Sequence, residues 1–200
     1  RMVEPVRALQ AGAERIGAGD LTGRIDVRTG DELETLASRF NTMAAQLDVP
    51  LISLWVSGRM DGARPVTAAN KRWVLERLRD SPVVLDTAEV FMLSPDPRRA
   101  EPEIALAAEL GARCIVAINF MAADAAVAAR QFADLCALAG RYGLLVSLEP
   151  LAMGATRTPA DGLRLLRDSG AANARLTVDL LHVVRTGTAL AEVATIEPAL

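Results

Sequence analysis

The stretch TVDLLHVV, residues 177–184, holds the only histidine of the chain, His182, three residues after Asp179. Glu149 closes another apolar run, LLVSLEP, and two further polar residues interrupt apolar segments: Glu89 in DTAEVF and Asn119 in AINF. Carboxylates with a single imidazole form a hard-to-borderline donor set, suited to a divalent cation held by oxygen and nitrogen. Each residue also has a plainer reading. A carboxylate buried at the end of an apolar run is costly without a partner, which favours a functional role for Glu149; Asp179 has helix capping as its alternative. His182 alone fits a satisfied core histidine, and Glu89 fits a solvent-facing or arginine-paired side chain. Asn119 suits a turn. Arg185, just beyond the histidine, could hold an anionic group or form a surface salt bridge.

The elements that would position these residues follow from the pattern of residues 49–200. Apolar, strand-like runs begin near Ile52, Val83, Cys114, Leu144 and Leu176, about 31 residues apart, the length of a βα unit. The last run, LTVDLLHVV, reads as one strand carrying both Asp179 and His182. Helical patterns lie between the runs: ANKRWVLERLR, EPEIALAAELGA, DAAVAARQFADLCALAGRYG and PADGLRLLRDSG. Gly111, Gly143 and Gly170 punctuate helix ends, and Thr158-Pro159 places a cap before a helix start. Near-continuous apolar strands with regular helical crossovers predict an α/β fold with a parallel sheet, covered by helices or closed into a barrel. Functional residues in both architectures sit at the carboxyl ends of the strands. A barrel needs eight strands and five are visible, so the sheet is open or part of a barrel.

Residues 1–48 follow a different period. Met2, Val6, Leu9, Ala13 and Ile16, then Leu33, Leu36, Phe40, Met43 and Leu47, recur at gaps of three and four. These are heptad seams, narrow apolar stripes that want partner helices. Pro5 near the first helix start, Gly19 at its end and the Asp31/Glu34 capping spacing punctuate a helix–connector–helix unit. The connector carries Leu21, Ile25 and Val27 and is expected to pack back along the helices. Two short helices bury such seams poorly alone, so a homodimeric four-helix bundle is expected. Gly17, Gly19 and Gly23 give GxGxxxG, one residue too long for a dinucleotide fingerprint and placed after a helix, so a helix cap explains them better.

Composition narrows the function classes. Half of the residues are apolar and the net charge is -3, as in an ordered globular protein. No basic stripe interleaves with aromatic residues, so no nucleic-acid partner is expected. Cys114 and Cys136 lie in apolar runs without CxxC spacing, which predicts buried thiols in a reducing compartment. No apolar run reaches the ~18 residues of a membrane span, and no signal peptide is visible.

On Pro5, RIGAGDLTGRI and DELETLASRFNTMAAQL, residues 1–48 resemble a HAMP domain, the dimeric linker of bacterial membrane receptors and sensor kinases. The resemblance implies signal relay, as in a histidine kinase or chemoreceptor, from an upstream transmembrane helix that this segment lacks. It also implies a place at the cytoplasmic face of the inner membrane if such a helix precedes, and a cytoplasmic location otherwise. On VLDTAEVFML, ALAAELGARCIVAINF, FADLCALAGRYGLLVSLEPL, the TRTPADGLRLLRDSGAANARLTVD stretch and DLLHVVRTG, residues 50–200 resemble the xylose isomerase-like TIM barrels, specifically the sugar phosphate isomerase/epimerase family.

That second resemblance implies a divalent metal (Mn2+, Mg2+, Co2+ or Zn2+) and a sugar or sugar phosphate substrate. Glu149 and Asp179 would be metal ligands, His182 would bind metal or substrate, and Glu149 would also shuttle the proton. Glu89, Asn119 and Arg185 are left as candidates for substrate binding. The implied reaction is isomerisation or epimerisation beside a carbonyl. DNA-repair relatives with several zinc ions need many histidines, and one histidine argues against them. The five strands correspond to the second to sixth of the barrel, with the HAMP-like segment where the first strand and helix belong. The family's remaining ligands, on the last two strands, fall beyond TIEPAL, so weak metal binding and impaired turnover are expected of a fused or fragmentary barrel. The alternative is a HAMP-type dimeric signalling module joined to an inactive or sensing α/β domain.

Overall fold

The computed structural model describes residues 3–18, 20, 23–47, 51–57, 65–81 and 83–197. The chain forms two compact units, Arg1–Pro50 and Leu51–Leu200.

In the first unit, α1 (Val3–Gly17) and α2 (Glu32–Leu47) flank an extended connector. Gly19, Leu21 and Met2, named above as cap, connector and seam residues, lie outside the described residues. Asp31 starts α2 by accepting a hydrogen bond from the Leu33 N–H at 2.9 Å, while Glu34 reaches back to the Gly30 N–H at 2.8 Å. The first satisfies a donor that a helix start leaves orphaned, and the second ties the preceding turn to the helix. The connector folds back onto the helices: Ile25 and Val27 are buried with Leu9 and Ala37, against Ala8, Leu33 and Phe40. Asn41 holds it there with two bonds to one residue, accepting from the Ile25 N–H at 2.8 Å and donating to the Ile25 carbonyl at 3.0 Å. Gly12 makes room, since a Cβ there would lie 2.3 Å from Ile25 Cδ1. Val6, Leu36 and Met43, members of the two seams, stay exposed at 48%, 43% and 39%.

The second unit is a five-stranded, wholly parallel sheet in sequential order β1–β5: β1 (Leu51–Trp55), β2 (Val84–Met92), β3 (Cys114–Ile118), β4 (Leu145–Leu148) and β5 (Ala174–Leu176). Its helices are α3 (Lys71–Arg79), α4 (Glu101–Glu109), α5 (Ala125–Gly140), α6 (Pro159–Ser169), α7 (Leu180–Thr186) and α8 (Leu190–Val193), with a 3-10 turn at Pro97–Ala100. Alternation along β3 separates two cores. Ile115 and Ala117 join the larger core with Ile104, Phe132, Val146 and Leu148, while Val116 and Ile118 join a small cluster with Val90 and Leu151. Burial on both sheet faces explains why the strands read as near-continuous apolar runs. The caps behave as their residue types require: Thr158 and Asp161 form a full capping box at α6, and Gly170 ends that helix at φ 63°.

One expected strand is mostly helix. The strand β5 ends at Leu176, and LLHVVRT forms α7, so His182 sits on a helix and not on a strand. Asp179 causes the switch: its side chain accepts from the Leu181 N–H at 2.7 Å, the N-cap bond that starts α7, and Gly187 at φ 71° stops it. An apolar run of this length does not distinguish a strand from a helix by composition. Only Val183 of α7 is buried.

Cys114 and Cys136 are free thiols, Cys136 buried and Cys114 half-buried. Burial is the main cause that raises both, pushing Cys136 up to about 12. No described helix is long and apolar enough to cross a membrane.

Candidate metal centre

The sheet brings three of the expected residues together. Glu149 directly follows β4, and its N–H donates to the Ala117 carbonyl at 2.9 Å, so it continues the register of the strand. The Thr177 N–H donates to the Leu148 carbonyl at 2.8 Å, carrying the β5 pairing up to the level of Glu149. Asp179 follows two residues later as the N-cap of α7, and His182 is the third helical residue. N-cap and N3 face the same side of a helix start, the geometry that capping boxes exploit. Ligand atoms of Glu149, Asp179 and His182 lie within 4.8 Å of one another.

The electrostatics of the cluster are unbalanced toward negative charge. Glu149 is half-buried, and its carboxyl is raised above the ordinary value, first by loss of solvation, then by the Asp179 charge, then by Glu89. Clustered carboxylates of this kind supply hard oxygen donors and the negative charge that suit a divalent cation. Asp179 takes up the capping alternative and also stays in the cluster. One oxygen caps α7, and the carboxylate still lies within the cluster.

Nδ1 of His182 accepts a hydrogen bond from the Ala152 N–H at 3.5 Å. An accepting Nδ1 places the proton of the neutral ring on Nε2. Glu89 sits within β2; its side chain accepts from Ser53 Oγ, and its carbonyl accepts from the Val56 N–H at 2.8 Å. It is near enough to raise Glu149, and so borders the cluster.

Asn119 and Arg185 are not among the three clustered residues. Asn119 is 2% exposed, and its amide is taken up by loop contacts: Nδ2 donates to the Ala122 carbonyl and to Thr156 Oγ1, and Oδ1 accepts from the Ala122 N–H. The turn-forming alternative describes its geometry. Arg185 is exposed on the last turn of α7. Sequence reasoning did not single out Ser53 or the Ala152 N–H. Ser53 gains its place only from the β1–β2 register, which shifts between Ile52 and Ser53, and no local pattern announces a backbone donor.

The HAMP domain family model matches residues 1–48. Among curated proteins, none matches the chain. Solved structures do. A xylose isomerase domain containing protein from Salmonella typhimurium LT2 is similar at 18% identity and a TM-score of 0.62, over 78% of this chain and 60% of that one. D-psicose 3-epimerase, solved in the presence of D-fructose, is similar at 16% identity and a TM-score of 0.63, over 79% of this chain and 63% of that one. The IolI protein, solved with a bound zinc atom, is similar at 11% identity and a TM-score of 0.61, over 78% and 62%. This chain thus spans about 60% of the length of the structures it matches. The second unit shares the fold of part of these TIM-barrel structures, and the helical hairpin before it is the segment that the HAMP model matches.

Proposed function

We propose that the second unit is a divalent-cation-dependent sugar isomerase or epimerase-type domain that transfers a proton beside a carbonyl. The observation that carries this reading is the convergence of Glu149, Asp179 and His182 within 4.8 Å at the carboxyl ends of β4 and β5. Glu149 and Asp179 would hold the cation. When bound, it would supply positive charge to stabilise oxygen anions formed beside the reacting carbon.

The chain's own residues then divide the work. Glu149, which ends β4 within the cluster, is the group assigned to take and return the proton. Asp179 is held in place by its cap bond to the Leu181 N–H. His182, with Nδ1 accepting from Ala152, presents an Nε2–H donor to a substrate oxygen. Glu89 borders the cluster and is assigned to substrate hydroxyls, while Asn119 and Arg185 are given no contact with substrate in this reading. A sugar or sugar phosphate is the substrate class, in keeping with the D-psicose 3-epimerase likeness.

Titration calorimetry with Mn2+ on the whole chain tests the site. The expected result is one saturable site, lost in Glu149→Gln and in Asp179→Asn. Heat that is absent, or unchanged in both variants, overturns the reading.

A second reading is favoured by a separate observation, the HAMP match over residues 1–48 together with the exposed seam residues Val6, Leu36 and Met43. In it the first unit forms a parallel homodimer that relays a signal to the α/β unit. Sedimentation across a concentration series should show reversible dimers, and a strict monomer at every concentration would remove it.

A further inference from the structure

The loop from Leu151 to Arg157 joins β4 to α6, passes beside the acidic cluster, and is built more firmly than a surface loop requires. Its base is closed by the Leu151 N–H donating to the Thr156 carbonyl at 3.0 Å, and its tip by the Gly154 N–H donating to the Leu151 carbonyl at 2.8 Å. Leu151 anchors one end in the small apolar cluster with Val90, Val116 and Ile118. The other end is latched to the end of β3: Asn119 Nδ2 donates to Thr156 Oγ1 at 3.0 Å, and the Ala155 N–H donates to the Asn119 carbonyl at 2.8 Å. Asn119 and Thr156 are 2% and 5% exposed, so water does not compete for this latch. The approach is close enough that a Cβ on Gly154 would lie 2.8 Å from the Asn119 carbonyl oxygen.

Between these fixed points lies Ala152. Its carbonyl accepts from Arg157 Nε at 3.0 Å, and its N–H points at His182 Nδ1. Ala152 is thus held at its carbonyl by Arg157, with the imidazole at its N–H, and the loop around it is held by Asn119 and Thr156.

We propose that Asn119 and Thr156 are positioning residues: by latching the 151–157 loop to β3, they aim the Ala152 N–H at His182 Nδ1 and so select the Nε2–H tautomer. The proposal rests on the assignment of His182 to the site, but the latch and the tautomer belong to the metal-free protein. A backbone donor is a suitable selector, because it has no lone pair to offer an Nδ1–H. The latch explains why Asn119 is buried near the strand ends without entering the cluster.

His182 is the chain's only histidine, so long-range 1H–15N correlation spectra of the untagged, 15N-labelled whole chain in EDTA report its tautomer without assignment. The wild type, in the neutral form of the ring, should show Nε2 protonated and Nδ1 bare. Thr156→Val keeps the shape of the side chain and removes the latch acceptor; Gly154→Ala keeps every hydrogen-bonding group and pushes the loop off Asn119. Each should give a mixture of both tautomers, and Thr156→Ser should restore the wild-type spectrum. The two disrupting variants act by different routes, so a folding failure of one leaves the other to decide. A wild-type ring protonated on Nδ1, or a wild-type tautomer retained in the folded disrupting variants, overturns the proposal. Failure of Mn2+ binding in calorimetry, with the tautomer behaving as described, would instead count against the catalytic reading alone.

Discussion

Gly162 lies inside α6, where a glycine normally weakens a helix by about 1 kcal/mol relative to alanine. In this chain the small residue has a packing role. A Cβ at position 162 would sit 2.6 Å from Leu176 Cδ1 and 2.9 Å from Pro150 Cγ. The Leu176 methyl is the end of a flexible side chain and can rotate away. The Pro150 ring cannot, because it is part of the backbone directly after Glu149. Overpacking of this kind costs about 1–3 kcal/mol, against a propensity gain of about 1 kcal/mol, so Gly162→Ala should lose about 1 kcal/mol net. For a chain of this size that is a fall in Tm of roughly 2–4 °C. Thermal and urea denaturation of the whole chain would measure it, and Mn2+ calorimetry on the same variant should show weaker binding as Pro150 carries Glu149 out of place. A Gly162→Ala protein more stable than wild type by about 1 kcal/mol, the outcome for an unpacked helix glycine, would refute the close approach of α6 to the site.

Other outcomes follow from the same physics. In metal-free protein Glu149→Gln should raise Tm at about pH 7, because a carboxyl whose folded-state pKa is raised destabilises the fold once ionised. The sign follows from proton counts: between the ordinary carboxylate pKa and the raised one the folded state holds more protons, so stability falls as pH rises through that window. The gain in the variant should therefore vanish as pH drops below the ordinary carboxylate range, and a variant less stable than wild type at neutral pH in EDTA would contradict this. Asn41→Leu removes both side-chain bonds to the Ile25 backbone and should cost about 1–3 kcal/mol; hydrogen exchange at the Ile25 amide reads it. Cys136, 1% exposed and with its thiol pushed up to about 12, should resist aromatic disulfide reagents until the unit unfolds, which a timed reaction in and out of denaturant checks.

The strands were legible because a sheet covered on both faces needs apolar residues at every position, and Ile115, Val116, Ala117 and Ile118 supply them. Spacing near 31 residues then gave the helical crossovers. The ends of elements were harder to see. LTVDLLHVV stays apolar across a change from strand to helix, and the change rests on one bond from Asp179 to the Leu181 N–H, which a carboxylate read as a ligand does not advertise. The three residues of the cluster were visible as polar interruptions. The supports of the site were not, since Asn119 meets Thr156 across 37 positions and Ser53 meets Glu89 across 36. Gly162 did carry a signal: a glycine within an otherwise helical pattern marks close packing. In the first unit the connector was expected to pack back, and Ile25 and Val27 do so; the Asn41 side chain that holds them has no periodic signature.

Glu149 and Asp179 are proposed to share a cation at the ends of β4 and β5. Anomalous diffraction from a crystal of the whole chain soaked in Mn2+ locates the ion directly. The account predicts one strong peak within bonding distance of both carboxylates, absent in Glu149→Gln crystals soaked alike. A peak elsewhere, or none at saturating Mn2+ with the cluster intact, would contradict it.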